Sequence, residues 1–259
     1  MNINIAPTAL EMGARSAQFV ANKVTQLVSE ADASKNIRVI VATGASQFTF
    51  IEALVQIPNL PWNRVEFFHL DEYVGLEQGD QHPASFRKYL KDRLFSKLNP
   101  QPACVNLVDP ENVDAYALLL AADDIDLACI GIGENGHVAF MDPPVADFND
   151  PVLVKIVELE AACRQQQVGE GWFDSVATSP SHAVSLTIPA IMRCKTISCV
   201  VPDARKANAV RGALHDDIGT ACPATCLRNH PDCFMWLDET SASLLPTPTT
   251  STSTPTPTK

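Results

Sequence analysis

Short runs of consecutive apolar residues alternate along this chain with longer segments in which apolar residues recur at helical spacing. The runs, several of them rich in valine and isoleucine, occupy residues 37–41, 65–70, 126–130, 152–157, 196–201 and 233–237. Nearly continuous apolar runs of this length are typical of strands that are buried on both faces of a sheet. The pattern therefore predicts a mostly parallel sheet built from these segments.

The segments between these runs are predicted to be helices. Helical periodicity extends over residues 8–30, 46–56, 84–98 and 203–214, and Pro83 stands where the third would begin. In the first, the apolar positions are Leu10, Ala14, Phe19, Val20, Val24 and Leu27. The alternation indicates a three-layer, doubly wound, Rossmann-like α/β fold with helices on both faces of a mostly parallel sheet, which binds ligands at the carboxyl ends of its strands.

Residues 1–243 are expected to form a single α/β catalytic domain, because no linker and no internal repeat interrupts them. The composition changes after that point. Residues 244–259 consist mainly of proline, threonine and serine. Such a segment has almost nothing to bury in a core, so we expect a disordered tail.

The chain is acidic, with 19 Lys and Arg against 30 Asp and Glu and a net charge of −11. This charge repels nucleic acid and anionic membranes, so we expect neither as a partner. No apolar run reaches the roughly 20 residues that span a bilayer, and the N-terminus lacks the pattern of a signal peptide. We therefore expect a cytoplasmic protein, and a homo-oligomer is compatible with the sequence.

The eight cysteines include no Cys-x-x-Cys pair, and most of them have apolar neighbours. A chain of this length builds a core without disulfides, so we expect reduced thiols. Zinc-ligand residue types are offered by Cys222, Cys226, Cys233 and His230. Their spacing fits no standard zinc pattern, so no metal site is predicted.

Polar segments follow several of the predicted strands, where a fold of this type binds its ligands. Thr43, Gly44, Ala45 and Ser46 stand between a strand and a helix. Gly44 permits a ligand to approach the backbone closely, and the hydroxyl groups and free N–H groups at the helix start suit a phosphate. An ordinary strand–helix turn with Ser46 as the N-cap explains the segment equally well.

The acidic pair Asp71 and Glu72 directly follows the second apolar run. A partly desolvated carboxylate at the end of a strand is suited to act as a base with a tuned pKa. N-capping by Asp71, or simple solvation of the pair, is the alternative interpretation.

Three glycines precede His137 in the segment 131–137, Gly-Ile-Gly-Glu-Asn-Gly-His. Their density indicates unusual backbone dihedrals or a backbone crowded against a ligand, and their spacing is not that of a dinucleotide-binding loop. With Asn135 and Asp142 as orienting groups, His137 is a candidate acid/base catalyst.

Lys206 lies in the first turn of a predicted helix, next to Arg205. Cations oppose the helix dipole at this position, so a bound anion would explain them, and exposure to water is the alternative. Arg164 is a further candidate cation, although little in its surroundings supports the assignment.

Three segments carry a resemblance to a known family: 68–76 (Phe-His-Leu-Asp-Glu-Tyr-Val-Gly-Leu), 82–86 (His-Pro-Ala-Ser-Phe) and 131–143. In this order they resemble the glucosamine-6-phosphate deaminase/isomerase family, which shares its fold with the 6-phosphogluconolactonases. Lactonases share the Gly-His part but lack the Asp-Glu-Tyr-Val-Gly-Leu run. The resemblance thus favours deamination of a sugar phosphate, glucosamine 6-phosphate, without a metal or organic cofactor.

The resemblance implies a role for each matched residue. Asp71 would remove the C2 proton of the open-chain amino sugar phosphate, and His137, oriented by Asn135 and Asp142, would assist ring opening. The residues implied in phosphate binding are Thr43, Gly44, Ala45, Ser46 and Lys206, with Arg164 as a further candidate. Glu72 and Gly136 would belong to the substrate pocket.

Three departures from the family pattern bear on activity. Asp142 stands where the family usually has glutamate, the proline of the phosphate loop is replaced by Gln47, and residues 160–175 align only loosely with the region of a phosphate-binding arginine. A displacement of about 1 Å in a catalytic group can cost ~100-fold in rate. Two alternatives therefore stay open: a 6-phosphogluconolactonase-type hydrolase in which His137 activates water, and a sugar-phosphate-binding regulator without turnover.

Overall fold

The computed structural model describes residues 1–246, and its centre is a seven-stranded parallel sheet in the order β1-β10-β9-β6-β2-β3-β5. The ten strands in the described part of the chain are β1 (Asn2–Ala6), β2 (Ile37–Val41), β3 (Val65–His69), β4 (Asp71–Val74), β5 (Cys104–Asn106), β6 (Leu127–Ile130), β7 (Val154–Glu158), β8 (His182–Leu186), β9 (Thr196–Val201) and β10 (Cys233–Asp238). Every residue of β2 and β9 is buried. The uninterrupted apolar runs are thus strands covered on both faces, as predicted.

Helices cover both faces of the parallel sheet. They are α1 (Ala9–Glu30), α2 (Phe48–Leu54), α3 (Phe86–Arg93), α4 (Val113–Ala121), α5 (Ala161–Gly169), α6 (Ile188–Met192) and α7 (Ala207–His215). Val39 and Val41 pack in one core with α1, α2 and α3, whereas Ile40 packs in a second core with α4, α6 and α7. Because side chains alternate between the two faces of a strand, this confirms the three-layer α/β fold.

A three-stranded antiparallel sheet, in the order β4-β8-β7, adds to the second of these cores and is not predicted by the sequence pattern. Residues 152–157, expected in the parallel sheet, instead contribute its edge strand β7, and Asp71 begins a strand rather than a polar turn. Leu70 joins the two sheets. Its N–H donates to the carbonyl of Val41 at 3.2 Å, and its own carbonyl accepts from the N–H of Leu186 at 3.0 Å.

Helix α1 covers the predicted residues 8–30 closely. Of its predicted apolar positions, Val20 and Val24 are buried and Phe19 and Leu27 are partly buried, whereas the first two positions are not. Leu10 is 70% exposed, and Ala14 is also exposed. The buried face consists of Met12, Gly13, Ser16, Ala17, Val20, Ala21 and Val24. Its small residues permit close packing on α2, since a Cβ atom on Gly13 would lie 2.5 Å from the backbone of Thr49.

Helix α3 is shorter than the predicted segment 84–98. The Oγ of Ser85 accepts a hydrogen bond from the N–H of Lys88 at 3.2 Å and caps the helix, so Pro83 lies outside it. The helix ends at Arg93 and is followed by a 3-10 turn at Phe95–Lys97.

The predicted tail lies outside the described residues from position 247 onward, and a single catalytic domain over residues 1–243 stays a prediction. Among the helices of residues 1–246, none combines the length and the apolar character needed to cross a membrane.

Candidate active site

A cleft opens at the carboxyl ends of the parallel strands. The strand order reverses between β2 and β6: β2 is followed outward by β3 and β5, and β6 by β9 and β10. The loops after β2 and β6 diverge at this point, which is where doubly wound sheets bind ligands. Seven of the residues predicted from the sequence line the cleft, namely Thr43, Gly44, Ala45, Ser46, Asp71, His137 and Lys206.

The loop after β2 presents hydroxyl and N–H groups to this cleft. Gly44 has a φ of 87°, a conformation that side-chain-bearing residues rarely adopt, and a 3-10 turn follows at Ala45–Gln47. The Oγ1 of Thr43, a residue that lines the cleft, is buried and has no hydrogen-bond partner among residues 1–246. Gln47, which replaces the family's proline, donates from Nε2 to the carbonyl of Ile130 at 3.2 Å and ties the loop to the end of β6.

Asp71 is the first residue of β4 and is 5% exposed. Burial raises the pKa of its carboxyl well above the ordinary value, and the neighbouring Glu72 carboxylate raises it further. Within residues 1–246, no donor forms a hydrogen bond with this carboxyl group that would offset its burial. A buried carboxyl of this kind, facing a cleft, is suited to exchanging a proton with a bound ligand.

Glu72 does not line the cleft, contrary to the prediction from the family resemblance. Neighbouring residues of a strand face opposite sides, so Glu72 points away from the side on which Asp71 lies. Its carboxylate accepts hydrogen bonds from the N–H groups of Phe86 (3.1 Å) and Arg87 (2.8 Å) and from Oγ of Ser85 (3.1 Å). Burial raises the pKa of Glu72 and these donors limit the increase, so the side chain serves as a cap for α3.

A polar network holds His137 at the cleft. Its Nδ1 lies 2.9 Å from Oδ1 of Asp142, and its backbone N–H donates to Oδ1 of Asn135 at 3.1 Å. The amide nitrogen of Asn135 donates in turn to Asp142 (2.9 Å) and to Glu160 (2.7 Å). Because Nδ1 is buried against the carboxylate, Nε2 is the ring nitrogen left to face the cleft.

Asp142 is fully buried at the centre of this network. Burial alone would raise the pKa of its carboxyl, but the contact with His137 and the hydrogen bonds from Asn135 and Glu160 hold that pKa below the ordinary value. The carboxylate is therefore present to orient the imidazole. Although aspartate is one methylene shorter than the glutamate usual in the family, it reaches His137 directly.

Two glycines shape the loop that carries His137. A Cβ atom on Gly133 would lie 2.2 Å from the His137 ring, so the imidazole occupies space that any side chain would fill. Gly136, with a φ of 83°, packs against Cys222, whose Sγ would lie 2.6 Å from an added Cβ atom. Gly136 does not line the cleft, so the structure does not bring it together with the other predicted pocket residues.

Lys206 reaches the cleft from a 3-10 turn that precedes α7, and it is 4% exposed. Burial lowers the pKa of its ammonium group, whereas Glu170, with Oε1 at 3.9 Å from Nζ, opposes that decrease. Glu170, Gln166 and Gln167 of the α5 region also line the cleft and are missing from the sequence prediction. Their helical spacing is the signal that could have revealed them, since Gln166 donates to Glu170 one turn later at 2.8 Å.

Arg164, the further candidate for phosphate binding, does not line the cleft. Its guanidinium donates to the backbone carbonyls of Val176 and Ser179. These bonds secure the segment that follows α5. The structure therefore corrects the predicted contact between Arg164 and a phosphate in this cleft.

His230 is not oriented toward a shared metal position with Cys222, Cys226 and Cys233. Instead, its Nε2 lies 2.7 Å from the backbone carbonyl oxygen of Cys194, and its Nδ1 accepts a hydrogen bond from the N–H of Asp232 at 3.1 Å. Within residues 1–246, one group of His, Cys and acidic side chains has converging ligand atoms, and it consists of His137, Asp142 and Cys163.

Comparison with known proteins shows which family this chain resembles in sequence. The family described as glucosamine-6-phosphate isomerases/6-phosphogluconolactonase matches residues 11–236. A glucosamine-6-phosphate deaminase of Exiguobacterium sibiricum is 33% identical over 209 residues, which cover 79% of this chain and 80% of the relative. A glucosamine-6-phosphate deaminase of Bacillus thuringiensis is 32% identical over 250 residues, which cover 94% of this chain and 89% of the relative.

Solved structures share the fold. A monomeric glucosamine-6-phosphate deaminase is similar with a TM-score of 0.83 and 26% identity, over 94% of this chain and all (100%) of the other. A 6-phosphogluconolactonase from Thermotoga maritima has a TM-score of 0.70 at 23% identity, over 92% of this chain and 98% of the other. The second likeness concerns the fold alone.

Proposed function

Because this chain belongs to the family of glucosamine-6-phosphate isomerases and 6-phosphogluconolactonases, we propose that it is a deaminase that converts glucosamine 6-phosphate and water to fructose 6-phosphate and ammonia. The buried carboxyl of Asp71, in one cleft with His137 and the loop of residues 43–46, carries the proposal. Lactone hydrolysis requires no group that removes a proton from carbon. A deaminase of this class would act in amino-sugar breakdown, in the cytoplasm, without a cofactor.

Ring opening of the sugar is the first step of the proposed reaction, and His137 is proposed to catalyse it. Opening the pyranose requires removal of the anomeric hydroxyl proton and delivery of a proton to the ring oxygen. Nε2 of His137 faces the cleft, while the Asp142 carboxylate at Nδ1 fixes the orientation of the ring. One ring nitrogen can therefore handle both protons in turn.

Asp71 is proposed to act on the open chain. Its carboxylate removes the proton from C2, the electron pair forms a C1–C2 double bond, and the C1 oxygen takes up a proton released by the ammonium group, which gives an enol-type intermediate. Return of the proton to C1 leaves an imine at C2, which water converts to the ketone as ammonia departs. Burial and the raised pKa of Asp71 match a carboxyl that must both accept and return a proton.

The phosphate is proposed to lie between the loop of residues 43–46 and Lys206. The unpartnered Oγ1 of Thr43 and the ammonium of Lys206 line the same cleft, and the positive φ of Gly44 lets the phosphate approach the backbone. A lysine in this position supplies a local positive charge in a protein whose net charge is −11.

Incubation of the purified protein with glucosamine 6-phosphate tests the proposed function. We expect release of ammonia and fructose 6-phosphate in equal amounts, and no hydrolysis of 6-phosphogluconolactone beyond its spontaneous rate. Lactone hydrolysis without ammonia release would support the lactonase alternative. Thermal stabilisation by the sugar phosphate without either reaction would support a binding protein.

The Lys206→Ala variant should raise KM for glucosamine 6-phosphate by roughly 10- to 100-fold and change kcat little, because a charged hydrogen bond contributes about 1.5–3 kcal/mol. Any activity on unphosphorylated glucosamine should be the same in the variant and in the unmodified protein. Arg205→Ala is the matched control, since this neighbouring side chain is 42% exposed and pairs with Asp203. A normal KM in Lys206→Ala would mean that the phosphate is held elsewhere.

The pH dependence of kcat/KM should report the raised pKa of Asp71. Below that pKa the carboxyl is protonated and cannot act as a base, so activity should fall on the acidic side at a pH well above the ~4 of an ordinary aspartate. Glu72→Gln removes the neighbouring negative charge and should move this acidic limb to lower pH. Full activity near pH ~4 in the unmodified protein would contradict the assignment.

A further inference from the structure

Cys163 takes no part in the proposed reaction, yet it lies beside the two residues that orient the acid/base group. A ring nitrogen of His137, a carboxylate oxygen of Asp142 and Sγ of Cys163 are all within 4.8 Å of one another. Asp142 is 0% exposed and Cys163 is 1% exposed, so the cluster lies behind the cleft. Nδ1 of His137 belongs to this side, because it is buried 2.9 Å from Asp142.

The three side chains form a mixed set of nitrogen, oxygen and sulfur donors, which is the donor set that Zn²⁺ prefers. A thiolate and a carboxylate together neutralise the charge of the ion, which removes the main cost of burying it. The His137 side chain is nine-tenths buried, and its Nδ1 lies 2.9 Å from Oδ1 of Asp142, so an ion bound between the two atoms would replace this contact. Asn135 already donates to Asp142, as the outer partners of metal ligands do.

We propose that Zn²⁺ binds to His137, Asp142 and Cys163 and thereby inhibits the protein. Zinc–sulfur, zinc–nitrogen and zinc–oxygen bonds form, and the thiol proton of Cys163 leaves to solvent. The ion displaces the proton from Nδ1, so the neutral imidazole carries its one proton on Nε2 instead and can no longer accept another there. The nitrogen that faces the cleft is thus blocked by an ion that does not enter the cleft.

This location predicts a particular form of inhibition. The phosphate-binding candidates, Lys206 and the loop of residues 43–46, are not in the cluster, so bound zinc should lower kcat and leave KM for the sugar phosphate nearly unchanged. Onset should be slow, because the ion must pass the His137 ring to reach a buried position. Chelation should restore activity at a similarly slow rate.

Co²⁺ titration of the chelator-treated protein provides a readout that does not depend on activity. We expect a thiolate-to-cobalt charge-transfer band at one equivalent, and its displacement by Zn²⁺. In Cys163→Ala and in Cys163→Ser the band should be lost, and the zinc concentration for half-inhibition should rise at least about 100-fold, more than removal of an outer partner costs. Cys104→Ala, at an exposed thiol, is the control and should behave like the unmodified protein.

The charge-transfer band reports metal binding at Cys163 even if the protein proves to lack deaminase activity. Failure of the proposed function can therefore be distinguished from failure of this inference. Each variant's inhibition is expressed relative to its own metal-free activity, and melting temperatures confirm that it is folded. A band that persists in both Cys163 variants, or that disappears in a Cys222→Ala variant instead, would overturn the proposal. Inhibition that raises KM alone would place the ion in the phosphate region and overturn it as well.

Discussion

Replacing Asp71 with asparagine should lower kcat for the deamination of glucosamine 6-phosphate by about 10²- to 10⁴-fold, the range expected for loss of a general base. Asparagine has the size of the aspartate but cannot accept a proton from C2. The loop of residues 43–46 and Lys206 are unchanged, so the variant should still bind the sugar phosphate. Ammonia release measures the first effect, and thermal stabilisation by the substrate measures the second. Near-normal turnover would remove Asp71 as the base.

The same variant should melt at a temperature equal to or above that of the unmodified protein at neutral pH. The folded-state pKa of Asp71 is raised, so the stability contributed by its protonated form is lost as the pH rises through that value. Asparagine cannot ionise and avoids this loss. Glu72→Gln is the contrasting variant and should melt at a lower temperature, because α3 loses the carboxylate that accepts its N-terminal donors. A large destabilisation by Asp71→Asn would mean that its inactivity reflects unfolding.

Introducing the glutamate that the family usually has, by Asp142→Glu, should lower kcat by roughly 100-fold rather than improve it, since a misplacement of about 1 Å in a catalytic group has this effect. Asp142 already contacts His137 at 2.9 Å and is fully buried. The added methylene must therefore displace the imidazole or the Asn135 amide. Steady-state kinetics at saturating substrate measure the effect, and KM should stay near normal.

Asp142→Asn is the matched control for that variant, because it removes the charge without adding volume. It should also lower kcat, since an amide no longer orients and stabilises the imidazole as the carboxylate does. Only Asp142→Glu should in addition lower the free energy of unfolding, by about 1–3 kcal/mol, as overpacking of a filled site does. An Asp142→Glu variant that is more active than the unmodified protein would contradict the placement of the aspartate.

The parallel sheet can be predicted because the sequence of each inner strand is by itself sufficient to identify a buried strand. The runs at 37–41 and 196–201 are apolar throughout and buried on both faces, so local composition and tertiary environment agree. The position of the cleft follows as well, because parallel strands end at one edge of the sheet. Segments after three different strands, including Asp71, His137 and Lys206, are brought together there.

The antiparallel sheet cannot be predicted from the sequence, because its strands pair with strands that are distant in the chain and because its first strand begins with polar residues. Residues Asp71 and Glu72 pair with Ser185 and Val184, far away in the sequence, and a strand that begins with two carboxylates has the composition of a loop. The sequence signal for the edge strand β1 is also weak, because the strand is not buried on both faces: Ile3 and Ile5 are 48% and 46% exposed. Without β4, the opposite orientations of Asp71 and Glu72 cannot be foreseen.

The contact between His137 and Asp142 also depends on backbone geometry that the motif does not reveal. The chain turns sharply between them: Val138 and Met141 form a bridge, and Ala139 has a φ of 53°. Alanine gives no signal for such a conformation, which usually favours glycine or asparagine. The reach of the shorter side chain is therefore a property of this turn and not of the residue type.

The proposed base and the proposed phosphate loop belong to different sheets, and Leu70 is the residue that joins these sheets. Asp71 is anchored on β8, whereas residues 43–46 extend from β2, and the two hydrogen bonds of Leu70 hold these strands at one separation. A sugar phosphate with one carbon more or fewer between its phosphate and its amine would place the wrong carbon opposite the carboxyl, even with its phosphate fully bound. We therefore expect discrimination by substrate chain length, imposed by the backbone of a single residue, Leu70.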